Sequence, residues 1–199
     1  MPHIDYYMSP TSPNVYNGGM RLEAIAKKHG ATITYKPVDM AKIFAQTGGT
    51  PLPDRHENRK EYRLQELGRA AKLVGHKINL QPMFFPANAA PASYAIIAAQ
   101  NAGGGDLGAL CYALARACWA EEKDIAGDDV IKAALVEAGF DPGLTDSGLL
   151  SGAETFTRNT EEAVRAGVFG VPFYITDGDV RFWGQDRLEM LDLCLSGGL

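Results

Sequence analysis

Residues 168–188 read VFGVPFYITDGDVRFWGQDRL and have the pattern of a β-hairpin. Two β-prone runs, 173–176 and 180–183, flank Asp177-Gly178-Asp179, and an Asp-Gly pair between such runs is typical of a tight turn. Pro172 immediately precedes the first run, at a position where a residue without an N–H group cannot donate to a sheet ladder. A cis bond between Val171 and Pro172 would suit this position.

The first forty residues have a β–α–β pattern. Residues 3–8 (HIDYYM) are aromatic and β-prone, and they stop at a Ser/Pro/Thr cluster. Apolar residues then recur at helical spacing over 14–29, which predicts one helix of about four turns ending at Gly30. Residues 31–38 (ATITYKPV) predict a second strand, parallel to the first because a crossover helix joins them.

The middle of the chain is helical in pattern. Residues 47–58 contain two glycines and two prolines and predict a long loop, and the composition beyond Pro91 is rich in alanine. A later helix over 151–166 is predicted to begin with a capping box formed by Ser151 and Glu154. The other predicted helices cover residues 59–74, 92–102, 107–121, 128–138 and 185–195.

The order of these elements predicts an α/β protein with a thioredoxin fold that carries an inserted helical domain. Residues 1–40 form the first half of the fold (βαβ), residues 41–150 the helical insertion domain, and residues 151–199 the second half (αββα). The alanine-rich helices favour a homodimer, and the alternative is that they pack within the chain.

Composition excludes several classes of function. The net charge is -5 and the pI is about 5.4, whereas nucleic-acid-binding surfaces need an excess of Lys and Arg. The three cysteines form no CxxC pair and show no metal-ligand spacing. No targeting or membrane-spanning pattern is present. We therefore expect a cytoplasmic protein that acts on a small molecule, with no nucleic acid, membrane or metal partner.

Ser12 is the leading candidate for chemistry. It precedes Pro13 where the first strand meets the first helix, so Pro13 can occupy the first helical position and Ser12 can cap it. A thiolate held there would be stabilised by the hydroxyl and the free backbone amides. The alternative is a Ser12 that only caps. Ser9 is a rival, but no His-Asp partner or G-x-S-x-G motif supports a hydrolase, so serine as a proton donor is the better role.

Two segments near the carboxyl end could bind a ligand. If the Val171–Pro172 bond is cis, the Val171 backbone faces outward and can pair with an extended peptide. Gly184 allows a close backbone approach, the amides of Gln185 and Asp186 suit a carboxylate, and the Asp186 carboxylate suits an ammonium group. The alternative for this second segment is a glycine turn followed by an acidic first helical turn.

These pieces together carry a family resemblance. The matching segments, in chain order, are Asp5-Tyr6-Tyr7 with Ser12-Pro13, Phe84-Phe85-Pro86-Ala87-Asn88, Val168-Phe169-Gly170-Val171-Pro172, and Phe182-Trp183-Gly184-Gln185-Asp186-Arg187-Leu188. Over nearly its whole length, the chain resembles the 2-hydroxychromene-2-carboxylate isomerases. The kappa-class glutathione transferases and the DsbA-like disulfide oxidoreductases share the same fold group.

The resemblance implies a cytoplasmic enzyme of aromatic-hydrocarbon catabolism that uses glutathione as its cofactor. It places Ser12 beside the glutathione thiol and Val171-Pro172 against the cysteinyl backbone. It also matches Gln185 and Asp186 to the residues that hold the γ-glutamyl group, with Gly184 among the glutathione-binding residues. Ser12 and Val15 occupy the places of a Cys-x-x-Cys pair, which excludes dithiol redox chemistry there. Asn88 and Trp119 match positions near the substrate cavity, with a capping Asn and a core Trp as the alternatives.

The sequence departs from its relatives on the substrate side. Many relatives carry a lysine soon after an Ile-Phe pair and an asparagine after Thr-Gly, where this chain has Ala45-Gln46 and Gly49. Lys42 is the candidate cation for the substrate carboxylate, with Arg55, Arg59 and Lys60 as alternatives. Two other functions stay open: a kappa-like transferase that consumes glutathione, and a non-catalytic thioredoxin-fold binding module.

Overall fold

The computed structural model describes residues 1–199, and its centre is a four-stranded mixed sheet of order β2-β1-β3-β4. The strands are β1 (His3–Met8), β2 (Thr32–Pro37), β3 (Phe173–Thr176) and β4 (Val180–Trp183). β1 and β2 are parallel, β1 and β3 are antiparallel, and β3 and β4 form the hairpin. The predicted hairpin and the predicted parallel crossover are therefore both confirmed.

Ten helices surround the sheet, and the order of elements is that of the predicted thioredoxin fold. Short 3-10 turns at Leu52–Asp54 and Gln185–Arg187 add to them. None of the ten helices combines the length and apolar character needed to cross a lipid bilayer. The helices are α1 (Pro13–Gly18), α2 (Arg21–His29), α3 (Met40–Thr47), α4 (Glu57–Leu73), α5 (Ala90–Ala102), α6 (Leu107–Ala120), α7 (Asp128–Glu137), α8 (Leu144–Ser147), α9 (Leu149–Arg165) and α10 (Leu188–Leu195).

The sheet and the central helices share one hydrophobic core. Alternation along β1 sends Ile4, Tyr6 and Met8 to one face and Tyr7 to the other, as the two-residue period of a strand requires. The first face packs on α5 and α6, whose small alanine side chains allow the helices to lie close to the sheet and to each other. The alanine-rich faces are thus used within the chain. The domain boundaries at residues 40 and 150 stay predictions.

The prediction of a single helix over residues 14–29 is wrong, because α1 ends at Gly18 and α2 starts at Arg21. Gly19 lies between them with φ of 56° and ψ of -139°, and its N–H donates to the Tyr16 carbonyl. This backbone region is open essentially to glycine alone. The apolar periodicity continues across the break, which is why the spacing alone did not reveal it.

The capping box predicted at Ser151 is also wrong. α9 begins at Leu149, directly after α8, and the Ser151 hydroxyl donates to the Gly148 carbonyl instead of accepting from an amide. Serine in a first helical turn often makes this local bond, so its presence does not by itself mark a cap. The last helix differs in a similar way, because residues 185–187 form a 3-10 turn ahead of α10.

The α3 helix was not predicted. Its beginning carries an ordinary signal, since the Asp39 carboxylate accepts from the N–H groups of Ala41 and Lys42. Gly48 ends it in the left-handed conformation. The helix is only two turns long and merges into the glycine- and proline-rich loop, so its periodicity was too short to stand out.

We expect Gly19→Ala to lower the free energy of unfolding by about 2–3 kcal/mol, because alanine at this φ and ψ is strained. A β-carbon at Gly19 would also lie 2.8 Å from Cε1 of His76. Gly30→Ala is the matched control, since Gly30 has a left-handed φ of 63° with no atom near its β-carbon position. Urea unfolding should rank Gly19→Ala as the more destabilised of the two. Equal losses would mean that the break between α1 and α2 can relax.

Candidate active site

Ser12 lies in the turn between β1 and α1 and caps that helix, as predicted. Its backbone is extended, Pro13 occupies the first helical position, and the Ser12 Oγ accepts from the N–H of Val15 at 3.4 Å. The rival Ser9 is buried and its hydroxyl lies 2.9 Å from the Thr11 hydroxyl. Of the two serines, Ser12 is therefore the one that is only partly buried.

The Ser12 hydroxyl meets the segment that precedes β3. Its Oγ donates to the carbonyl oxygen of Val171 at 3.4 Å, which joins two parts of the chain 159 residues apart. The Val171–Pro172 peptide is cis, and the Pro172 carbonyl accepts from the N–H of Gly184 at 2.9 Å. The N–H of Val171 has no hydrogen-bond partner within the chain. A free backbone donor therefore lies beside the candidate hydroxyl.

Trp119 contacts the turn between β1 and α1 from the protein core. The indole is fully buried, its Nε1–H donates to the Thr11 carbonyl at 3.3 Å, and its ring centroid lies 4.8 Å from that of Phe85. A buried indole normally finds such a polar partner. Trp119 is thus a core residue that also fixes the backbone next to Ser12.

The turn at residues 184–186 is held by Arg21, which the sequence analysis did not single out. One guanidinium nitrogen of Arg21 donates to the backbone carbonyl of Gln185 at 3.2 Å and also to its side-chain oxygen. The same guanidinium donates to the carbonyls of Asn17 at 3.1 Å and Gly18 at 3.2 Å. Gln185 is therefore fixed in orientation. The carboxylate of Asp186 is exposed and pairs with Arg187 at 2.9 Å.

Two cavities open on either side of Asn14, two residues beyond Ser12. The first, of about 260 Å³, has walls from Asn14, from α4 and from residues 183–187. The second, of about 450 Å³, lies between Asn14 and the cationic face of α4. Asn14 and Glu66 line both cavities. We call these two cavities, which share Asn14 and Glu66, the α4 groove, and together they bring the turn at residues 184–186 and a set of arginines to either side of Asn14.

Not all predicted site residues reach the α4 groove. Lys42 lies on the exposed first turn of α3 and lines neither cavity. Asn88 lies just ahead of α5, where its side-chain oxygen accepts from the N–H of Ala90 at 3.1 Å. Lys60 pairs with Glu57 at 2.8 Å on another part of α4. Only Arg55 and Arg59, among the four cations named from the sequence, line the groove.

The cysteines lie outside the α4 groove. Cys111 and Cys118 are buried on α6, and burial raises the pKa of the Cys118 thiol to about 12. Burial likewise raises the pKa of the Cys111 thiol well above its usual range. Cys194 is half-buried on α10. At neutral pH the two buried thiols are protonated and hence poor nucleophiles.

Trp183 closes one wall of the first cavity and packs on Gly170. The Trp183 side chain is 53% exposed, and its ring centroid lies 4.8 Å from that of Phe169. A β-carbon on Gly170 would lie 2.5 Å from the Trp183 Nε1. Glycine at position 170 thus allows the Nε1 edge of the indole to approach the segment that carries Val171.

Comparison with known proteins gives a consistent result. Residues 3–196 match the family model described as DSBA-like thioredoxin domain. The chain is 31% identical over 194 residues to 2-hydroxychromene-2-carboxylate isomerase of Pseudomonas putida, covering 95% of this chain and 92% of the relative. It is 30% identical over 199 residues to the protein of the same name from Pseudomonas sp. (strain C18), covering 98% and 90%.

Solved structures agree on the fold. A 2-hydroxychromene-2-carboxylate isomerase superposes with a TM-score of 0.76 at 26% identity, covering 98% of this chain and 95% of the other. The cytosolic disulfide reductase DsbM from Pseudomonas aeruginosa, in its structure with GSH, gives a TM-score of 0.66 at 18% identity, covering 98% and 99%. The second match shows a common fold only.

We expect Gly170→Ala to displace Trp183 and to lower the free energy of unfolding by about 1–3 kcal/mol through overpacking. Because Trp119 is buried and Trp183 is half-exposed, the change should appear in the solvent-exposed part of the tryptophan emission. Gly68→Ala serves as the control, since the nearest atom to its β-carbon position is 3.9 Å away. An unchanged emission spectrum in Gly170→Ala would show that the indole does not depend on this glycine.

Proposed function

Since the chain belongs to the DSBA-like thioredoxin domain family, and within it to the 2-hydroxychromene-2-carboxylate isomerases, we propose that it is an isomerase. Its substrate is 2-hydroxychromene-2-carboxylate or a related intermediate of aromatic degradation, and its cofactor is glutathione. The homodimer and the cytoplasmic location stay predictions from the sequence.

The observation that carries the proposal is the meeting of the Ser12 hydroxyl with the Val171 backbone. An extended tripeptide needs backbone partners, and the unpaired N–H of Val171, just ahead of the interior strand β3, is such a partner. A thiolate needs a hydrogen-bond donor, and the Ser12 hydroxyl is one. At 3.4 Å its bond to the Val171 carbonyl is long, so redirecting the hydroxyl proton to a sulfur would cost little.

The far end of the first cavity also suits glutathione. A γ-glutamyl group carries one ammonium and one carboxylate, and this end offers the exposed Asp186 carboxylate together with the side-chain amide of Gln185. Arg21 holds Gln185 by its oxygen, which leaves the amide N–H groups as donors. Asp186 and Gln185 can therefore supply one partner each for the two charges of the γ-glutamyl group.

Glutathione, when bound, supplies a thiolate nucleophile that can add reversibly to the conjugated substrate and is not consumed. The chain contributes the environment for that sulfur. The Ser12 hydroxyl favours the ionised form by donating a hydrogen bond to it, and Trp119 and Val171 hold the turn on both sides. Burial keeps Cys111 and Cys118 protonated, so the chain's own buried thiols do not compete.

A direct test follows the ultraviolet spectrum of 2-hydroxychromene-2-carboxylate with enzyme, in the presence and absence of glutathione. Isomerisation that requires glutathione and returns it unchanged supports the proposal. Stoichiometric loss of glutathione would instead indicate a kappa-like transferase. Absence of any thiolate absorbance in the complex would favour a non-catalytic binding module.

We expect Ser12→Ala to reduce glutathione-dependent turnover by more than about tenfold, because the thiolate loses its hydroxyl donor. Circular dichroism should show an intact fold, since only a half-buried oxygen is removed. Ser9→Ala is the matched control: it removes the rival hydroxyl, and its turnover should stay close to that of the wild type. Equal turnover in Ser12→Ala and the wild type would contradict the role of Ser12.

Replacing Cys111, Cys118 and Cys194 together with alanine should leave glutathione-dependent turnover within about threefold of the wild type, because the buried thiols are protonated and none lies in the groove. A modest loss of thermal stability is expected from the two buried positions. Turnover and melting temperature should be measured on the same preparation. Loss of turnover in a folded triple variant would show that the chain supplies the nucleophile itself.

A further inference from the structure

Three arginines of the α4 groove have no acidic partner. Arg55, Arg59 and Arg63 line the second cavity, and none of them forms an ion pair with an Asp or Glu side chain. Their spacing of four residues puts Arg59 and Arg63 on one face of α4, with Arg55 in the turn ahead of it. The one carboxylate in the cavity wall, Glu66, pairs with Arg69 at 3.2 Å. The cavity therefore has a surplus of positive charge.

Two of these arginines are held in place by neutral groups. The Nε–H of Arg55 donates to the Thr50 carbonyl at 2.8 Å, and its guanidinium lies 6.0 Å from the Phe44 ring centroid. The Phe44 ring packs so closely on Gly49 that any β-carbon there would collide with it. Glycine at position 49, where many relatives carry asparagine, thus permits the packing of Phe44 beneath Arg55.

Arg63 is the innermost of the three. Its guanidinium lies 6.0 Å from the ring centroid of Phe85 and 5.9 Å from that of Trp119. Aromatic faces attract a guanidinium but leave its N–H groups free to bind an anion. Burial, and then the charge of Arg55, lower the pKa of Arg63. Arginine nevertheless stays charged at neutral pH, so an anion bound here would relieve repulsion that nothing in the chain neutralises.

The cationic cavity adjoins the candidate catalytic turn. Trp119, on which Arg63 lies, donates its Nε1–H to the Thr11 carbonyl, one residue before Ser12. Asn14 lines the cavity two residues beyond Ser12. A ligand anchored on Arg63 would therefore lie next to the Ser12 turn. The exposed Tyr62 ring in the same wall offers an aromatic surface to it.

We propose that Arg55, Arg59 and Arg63 form the carboxylate-binding site for the aromatic substrate, with Arg63 as its inner anchor. The inference rests on the proposed function, and it assigns the substrate cation to α4 instead of to Lys42 on α3. Planar guanidinium groups bind a carboxylate through paired hydrogen bonds, which fixes the orientation of the attached ring as well as its position.

The test uses chromone-2-carboxylate, which has the bicyclic ring and the carboxylate of the substrate but carries a ketone at position 4 and no hydroxyl at position 2. Binding is measured by calorimetry in saturating glutathione. Arg63→Met, which keeps the apolar stem, should weaken binding by about tenfold or more, as expected for loss of a charge-assisted pair. Arg59→Met, on the exposed part of the site, provides a second variant should Arg63→Met fold poorly, and it should weaken binding by about threefold or more.

Two controls define the site. Chromone without the carboxylate should bind wild type and Arg63→Met with equal affinity. Arg158→Met makes the same charge change on the exposed face of α9 and should leave the affinity for chromone-2-carboxylate unchanged. If Arg63→Met and Arg59→Met bind the carboxylate as well as the wild type, or if the wild type does not bind it, the assignment is wrong.

Glutathione also carries carboxylates, so its affinity is measured separately in each variant. Unchanged glutathione affinity in Arg63→Met, with weakened chromone-2-carboxylate binding, supports the assignment to the substrate. Weakened glutathione binding with unchanged chromone-2-carboxylate binding would overturn the assignment and would indicate that the arginines bind glutathione. Arginine-dependent binding of the chromone carboxylate in a protein that does not isomerise the hydroxychromene would refute the proposed function and leave this site standing.

Discussion

The position of β1 at the centre of the sheet is the constraint on which the rest of the structure depends. β1 pairs with β2 on one side and with β3 on the other, and its side chains are buried on both faces. Because β3 is antiparallel to β1, Tyr7 lies opposite Phe173, so the end of β1 meets the start of β3. That register brings the Ser12 turn to the Val171 segment. A slip of one residue would exchange the side chains of the two buried faces and shift the Ser12 turn away from the Val171 segment.

The local parts of this arrangement could be predicted from the sequence, and the long-range parts could not. The hairpin, the parallel crossover and the cap at Ser12 all follow from signals within a few residues. The break at Gly19 lay inside a continuous apolar periodicity, and Ser151 satisfied a capping pattern without acting as a cap. The bonds from Arg21 to Gln185 span 164 residues. No local pattern marks such a contact, so Arg21 was missed.

The chemistry of the site is limited because the chain has no cysteine at the start of α1. In related folds a Cys-x-x-Cys pair at this helix start performs redox chemistry, whereas this chain has Ser12 and Val15 there. A serine hydroxyl can donate to a sulfur but cannot replace it. The chain's two fully buried cysteines are protonated and lie in the core. The shared thioredoxin fold therefore does not define the reaction, and the site residues do.

The two ends of the α4 groove differ in charge, and each end therefore favours a different kind of ligand. One end carries the unpaired guanidinium groups of Arg55, Arg59 and Arg63, while the other carries the exposed carboxylate of Asp186. In a protein of net charge -5, such a local surplus of positive charge concentrates anions at one end of the groove. A ligand with an ammonium group is favoured at the acidic end, and an aromatic anion at the basic end. Asn14 lines both cavities, two residues beyond Ser12, so a sulfur held at Ser12 and an electrophile at the basic end would lie close together.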